Sequence, residues 1–103
     1  MHSDGNRPVV TAIVLLDVDR DQINPVAEQL ADMEGVTEVY SVAGRYDLAA
    51  IIRTKTNDEL ADVITTRIRH VSGIRDTETL IAFRTYSRHD LEAAFSLGEG
   101  GRR

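Results

Sequence analysis

The sequence predicts an α+β domain with the element order β-α-β-β-α-β. Three observations predict it. Four short segments are rich in β-branched and apolar residues, and two segments between them repeat apolar residues at helical spacing. The chain also repeats itself: a shift of 38 residues superposes Ile13 on Ile51, Val14 on Ile52, Val26 on Ile64, Leu30 on Ile68, Met33 on Val71, Gly35 on Gly73 and Val36 on Ile74. Finally, Gly44 lies between two strand-like runs, as in a hairpin. Two βαβ units of this length read as a ferredoxin-like split βαβ fold, a four-stranded antiparallel sheet with two helices on one face.

Residues 1–8 are polar, with Gly5, Asn6 and Pro8, and read as a disordered arm before a domain over 9–86. The first strand is Val9 to Val18, VVTAIVLLDV, apolar on both faces. A polar link follows, and Asn24-Pro25 reads as a helix start, with Asn at N-cap and Pro at N1. Val26, Ala27, Leu30 and Met33 form its stripe, and Gly35 supplies the C′ residue. Val36 to Ala43 is the second strand, mixed in polarity as an edge strand is. Asp47 to Thr54 is the third, again apolar on both faces. Thr56-Asn-Asp-Glu59 is a capping box that opens the second helix. Leu60, Val63, Ile64, Ile68 and Val71 form its stripe, and Gly73 ends it. Ile74 to Tyr86 holds the fourth strand. A short terminal helix is expected within 87–97, followed by a flexible Gly-rich tail over 98–103.

In this topology the first and third strands are central. Two helices cover one face of the sheet, yet both strands are apolar on two faces. A second copy of the sheet is the simplest cover, so the sequence predicts a homodimer with sheet packed on sheet.

Composition narrows the function. The chain has 103 residues, 42% of them hydrophobic, enough for one core. No apolar run approaches the ~20 residues a bilayer requires. The N-terminus lacks an apolar signal region, so a cytoplasmic location is expected. There is no Cys, which excludes thiolate chemistry and disulfides. A net charge of −5, from 17 acidic and 12 basic residues, opposes direct binding to nucleic acid. Asp17, Asp19 and Asp21 alternate like the opening of a calcium loop, but Arg20 and the missing Gly and Glu spoil the match. His70 reads as a partner of the second helix's C-terminus. Neither it nor His89 has metal-ligand spacing, and no cofactor is expected.

The turn Gly44-Arg-Tyr-Asp47 concentrates a phenol, a guanidinium, a carboxylate and free amides on a loop held by a sheet. Its residues can equally be conformational, with Gly44 turning the chain, Tyr46 packing and Asp47 capping. Together, Glu34-Gly-Val36, Val42-Ala-Gly-Arg-Tyr-Asp-Leu48 and Val71-Ser-Gly-Ile-Arg-Asp-Thr-Glu-Thr-Leu-Ile81 resemble the effector-binding RAM domain of the Lrp/AsnC regulators. The resemblance covers about residues 9–86. Family members usually carry an N-terminal helix-turn-helix, so this chain resembles a stand-alone RAM domain. The resemblance implies dimers through facing sheets in a dimeric α/β-barrel arrangement. It also implies higher assembly, commonly octameric rings, with amino-acid effectors in clefts between dimers. The cleft residues it implies here are Gly44, Tyr46, Asp47, Arg75, Thr77 and Glu78. It further implies mixed assembly with full-length, DNA-binding relatives.

The chemistry of those residues suits a free amino acid. Asp47 can accept from an ammonium, amides near Gly44 can donate to a carboxylate, and Arg75 can hold a carboxylate bidentately. Tyr46 offers a ring face and a hydroxyl. Arg75 has a competing surface role, pairing with Asp76 or Glu78. Two other functions fit the fold. One is a cofactor-free dimeric monooxygenase using Tyr46, His70 or His89. The other is a structural module that pairs through its sheet. The absence of a convergent acid/base pair favours a non-enzyme.

Overall fold

Burial that alternates along the first strand places one antiparallel sheet over a helical layer. The computed structural model describes residues 9–86 and Arg88. Its elements are β1 (Val10–Val18), α1 (Ile23–Ala31), β2 (Val36–Ser41), β3 (Leu48–Thr54), α2 (Asn57–Asp62) and β4 (Ile74–Ala82). The strand order is β2-β3-β1-β4, with every pairing antiparallel. This is the ferredoxin-like α+β fold, with β1 and β3 central and β2 and β4 at the edges.

The helical side of the sheet is the core. Ala12, Val14, Leu16 and Val18 of β1 and Leu48, Ala50 and Ile52 of β3 cluster with Val26 and Leu30 of α1. Leu60 of α2 and the following Val63 and Ile68 join the same cluster. The other side of the sheet is open. Ile13 pairs across to Ile51 on one side and to Leu80 on the other, giving an apolar row through three strands. Ile13, Leu15 and Ile51 are only partly buried, and Leu80 and Tyr40 are exposed.

The internal repeat has a physical counterpart. Gly35 and Gly73 both take positive φ, 96° and 99°. Each also packs against the other repeat's helical segment. A Cβ on Gly35 would lie 3.0 Å from Val63, and one on Gly73 would lie 3.0 Å from Gln22 and 3.1 Å from Val26. Backbone conformation and close approach therefore demand glycine at both sites.

Several boundaries differ from the sequence reading. The first helix begins earlier: a 3-10 turn at Arg20–Gln22 leads into α1 at Ile23, and Asn24 makes no cap. Pro25 is accommodated inside the first turn, where amides lack intrahelical partners. The capping box forms, with Glu59 N–H donating to Thr56 Oγ1 at 3.1 Å. Its return bond reaches the amide of Lys55, one residue early, at 3.0 Å. Beyond Asp62 the helix widens to a π segment at Val63–Arg67 and tightens to a 3-10 turn at Ile68–His70. Thr65 donates its hydroxyl to the Ala61 carbonyl at 2.7 Å beside this change of pitch. His70 bonds the Thr66 carbonyl at the helix end, as a partner for its orphan carbonyls. β2 stops at Ser41 and β4 at Ala82, both short of the expected spans. The expected arm over 1–8, the terminal helix and the tail lie outside the described residues, apart from Arg88. No helix among the described residues is long and apolar enough to cross a membrane.

Candidate functional site

The β2–β3 hairpin carries the turn picked out by sequence, and the rest of the sheet ties it down. Gly44 sits at φ 132°, and no atom lies within 4 Å of where its Cβ would stand. The position needs glycine for conformation, not for space. Asp47 makes three connections through its own groups. Its N–H donates to Leu16 O at 2.9 Å, its carbonyl accepts from Val42 N–H at 3.0 Å, and its Oδ2 accepts from Val18 N–H at 2.9 Å. The β1–β4 register shifts between Asp17 and Val18, and the Asp47 carboxylate supplies the Val18 amide at that irregularity. One Asp47 oxygen is thus already engaged with backbone.

Tyr46 turns to the other edge. Its hydroxyl donates to Glu78 Oε1 of β4 at 2.7 Å. The bond to the Glu78 carboxylate, helped by partial desolvation, raises the phenol above its ordinary value. This contact joins the two halves of the motif, Gly-x-Tyr-Asp and Thr-Glu-Thr, across 32 residues of sequence.

The register then divides the six expected residues. Glu78 lies opposite Leu15 and Asp76 opposite Asp17, on the open face of the sheet. Thr77 lies opposite Leu16, on the helical face. The Tyr46–Glu78 bond joins the hairpin turn to Glu78, while Arg75 and Thr77 border a groove between the second helix and β4. Arg75 does not pair with Asp76 or Glu78, as its surface reading had it. Its Nε lies 3.9 Å from Asp17 Oδ2 and 4.0 Å from Asp19 Oδ1. The register carries Arg75 past the bulge to the end of β1, where those carboxylates stand. Asp17 and Asp19 were not foreseen at the site. Their signal is the alternating acidic run, which sequence alone reads only as a failed calcium loop.

A larger cavity of about 640 Å³ lies at the opposite end of the sheet, between Gly35, Thr54 and α2. None of the six expected residues lines it. Its arginines are engaged within the chain. Arg67 pairs with Asp62 at 3.2 Å and donates to Glu34 O at 3.2 Å, and Arg53 donates to Thr37 at 3.0 Å.

The ferredoxin-like fold has parallels among known proteins. Residues 11–91 match the Lrp/AsnC ligand binding domain. A Pyrococcus horikoshii protein described as an uncharacterized HTH-type transcriptional regulator is 35% identical over 78 residues, which span 73% of this chain and 52% of that protein. The chain thus spans about half the length of the curated relatives it matches. The crystal structure of TTHA0845 from Thermus thermophilus is similar at 44% identity and a TM-score of 0.72, covering 77% of this chain and 99% of that one. The structure of Escherichia coli AsnC shares the fold, with a TM-score of 0.69 at 23% identity, covering 74% of this chain and 52% of that one.

Proposed function

We propose a function from one premise, that this chain belongs to the Lrp/AsnC ligand-binding domain family: it binds a small amino-acid effector and acts in transcription regulation through its own assembly. One observation carries the reading. The Tyr46–Glu78 hydrogen bond, 2.7 Å long, brings the two polar motifs together at one end of the sheet. Effector binding uses the Gly44–Asp47 turn with Glu78, while Arg75 and Thr77 stand apart from it, on the groove beyond β4. The Asp47 oxygen not engaged by Val18 and the Glu78 carboxylate accept from the ligand's ammonium. Amides of the turn around Gly44 meet its carboxylate.

The open sheet face supports the assembly. The Leu80–Ile13–Ile51 row needs an apolar cover, and a second copy of the same face supplies it with two-fold symmetry. Dimers then associate further, an octameric ring being one such form, either alone or with full-length relatives in the cytoplasm. The curated relatives are described as transcriptional regulators, which supports a role without catalysis. Tyr46 and His70, considered above as catalytic groups, are each engaged, with Glu78 and with a helix-end carbonyl.

A thermal-shift panel of the standard amino acids tests the reading. Binding to the folded state alone raises the melting temperature by linkage, and at one hundred times Kd the gain is about 2.7 kcal/mol. The expected result is a saturable rise for a small subset. A panel with no rise for any amino acid rejects the effector assignment and leaves the sheet-pairing module as the function.

A further inference from the structure

The family reading does not use the groove between the second helix and β4. It is a solvent-open groove of about 290 Å³. Its apolar wall is Ile64 and Ile68 from the helix and Ile74 from β4, with Ile68 buried and the other two partly so. Two guanidinium groups stand on its rim, Arg69 from the 3-10 turn and Arg75 from β4. No hydrogen bond or ion pair holds Arg69 among the described residues. Arg75 is held only loosely, by carboxylates 3.9 and 4.0 Å away on the β1 side. Thr77 adds a hydroxyl to the lining, since its contact to the Asp76 carboxylate uses its backbone N–H. The Asp76 carboxylate also borders the groove, but one of its oxygens is committed to that N–H at 2.9 Å.

The helical side of this groove is irregular. The π segment at Val63–Arg67 widens the helix before the chain tightens into the 3-10 turn that carries Arg69. A π segment inside a helix is a known way of displacing side chains toward a ligand. An isoleucine wall below two cations on opposite lips is the chemistry of a small anion with an aliphatic body.

We propose that this groove is a second binding site, for a small monocarboxylate with a short branched aliphatic chain. The carboxylate bridges Arg69 and Arg75, and the aliphatic chain lies against Ile64, Ile68 and Ile74. Guanidinium groups match a carboxylate in plane and charge. The site is separate from the hairpin site and stands whether or not an amino acid binds there.

The test is an amide-resolved NMR titration of the whole chain with isovalerate. The expected result is saturable shifts in residues 64–69 and 74–77. Isobutylamine, with a similar body and the opposite charge, should leave those amides unmoved. Acetate, with the charge and almost no body, should bind more weakly than isovalerate. The variant Arg69→Gln with Arg75→Gln should weaken isovalerate binding at least about tenfold, since each removes a charged donor. Both positions are exposed, so the variant keeps its fold, as its unchanged spectrum elsewhere would show. Shifts that fail to saturate, shifts that fall elsewhere, an equal response to isobutylamine, or unchanged affinity in the double variant would each overturn the site.

Discussion

Replacing Asp47 with Ala removes the acceptor of the Val18 amide, and the cost can be worked from the structure. The Val18 N–H donates to Asp47 Oδ2 at 2.9 Å, and Val18 itself is 2% exposed. A buried donor left without its partner costs about 1–3 kcal/mol, and loss of a charged acceptor lies in the upper part of that range. The expected destabilisation is ~2 kcal/mol. With an unfolding entropy of about 0.16 kcal/mol/K for a domain of this size, the melting temperature should fall by about 12 °C. Asp47→Asn keeps an acceptor oxygen on the same stem and should recover at least half of the loss. Calorimetry at fixed protein concentration reads both variants, since assembly itself shifts stability. An Asp47→Ala protein as stable as the wild type would refute the stabilising role of the Val18–Asp47 bond. So would an Asn variant no better than Ala, because the acceptor would then not be what matters. The same result bears on function: any effector affinity of the Ala variant must be measured below its lowered melting temperature.

Gly73→Ala should be more damaging than Gly44→Ala, by about 1 kcal/mol or more in urea unfolding, because Gly73 adds a 3.0 Å clash to its positive φ while Gly44 has only the φ penalty. Ile51→Lys should turn the proposed dimer into monomer on light scattering, since it puts a charge into the apolar row, a change worth several kcal/mol when the charge is unpaired and buried. Tyr46 and Tyr40 are both raised above the ordinary phenol range by their bonds to Glu78 and Glu38, so a late phenol component should appear in an ultraviolet pH titration, and Tyr46→Phe should shrink it. The neutral phenol is the favoured form in the fold, so the Tyr46–Glu78 contribution is present below the unfolded value near ~10 and is lost as pH rises through the higher folded value. With a net charge of −5, the chain should fail to retain a specific duplex at physiological salt, and retention in a shift assay would contradict this.

Periodicity made most of the fold legible. The doubly apolar runs at 9–18 and 47–54 marked the central strands, because only a strand flanked on both sides has two faces to bury. The 38-residue repeat found Gly35 and Gly73, which share φ and packing role. Thr56 and Glu59 announced the second helix through a local bond, and local bonds are written in local sequence. The misses were long-range. Asp47 reaches an amide 29 residues away, at a register shift that no alternation pattern reveals. Arg75 reaches Asp17 and Asp19 for the same reason. The π segment depends on how the helix sits over the sheet, and the stripe of Leu60, Val63, Ile64 and Ile68 reads the same with or without it. At the hairpin, sequence identified the functional groups but not which of them the fold already uses.

Whether the hairpin holds an amino acid is tested most directly by mapping the ligand onto the chain. The amino acid that raises the melting temperature most should be titrated into the whole protein and followed at every amide by NMR. Residues 64–69 should stay unmoved, and saturable shifts are expected at residues 44–47 and 78. Glu78→Ala, which removes a charged acceptor from the site, should lose binding by at least about tenfold. Saturable binding that leaves those amides unmoved, or a Glu78→Ala variant with unchanged affinity, would contradict an amino-acid site at the hairpin.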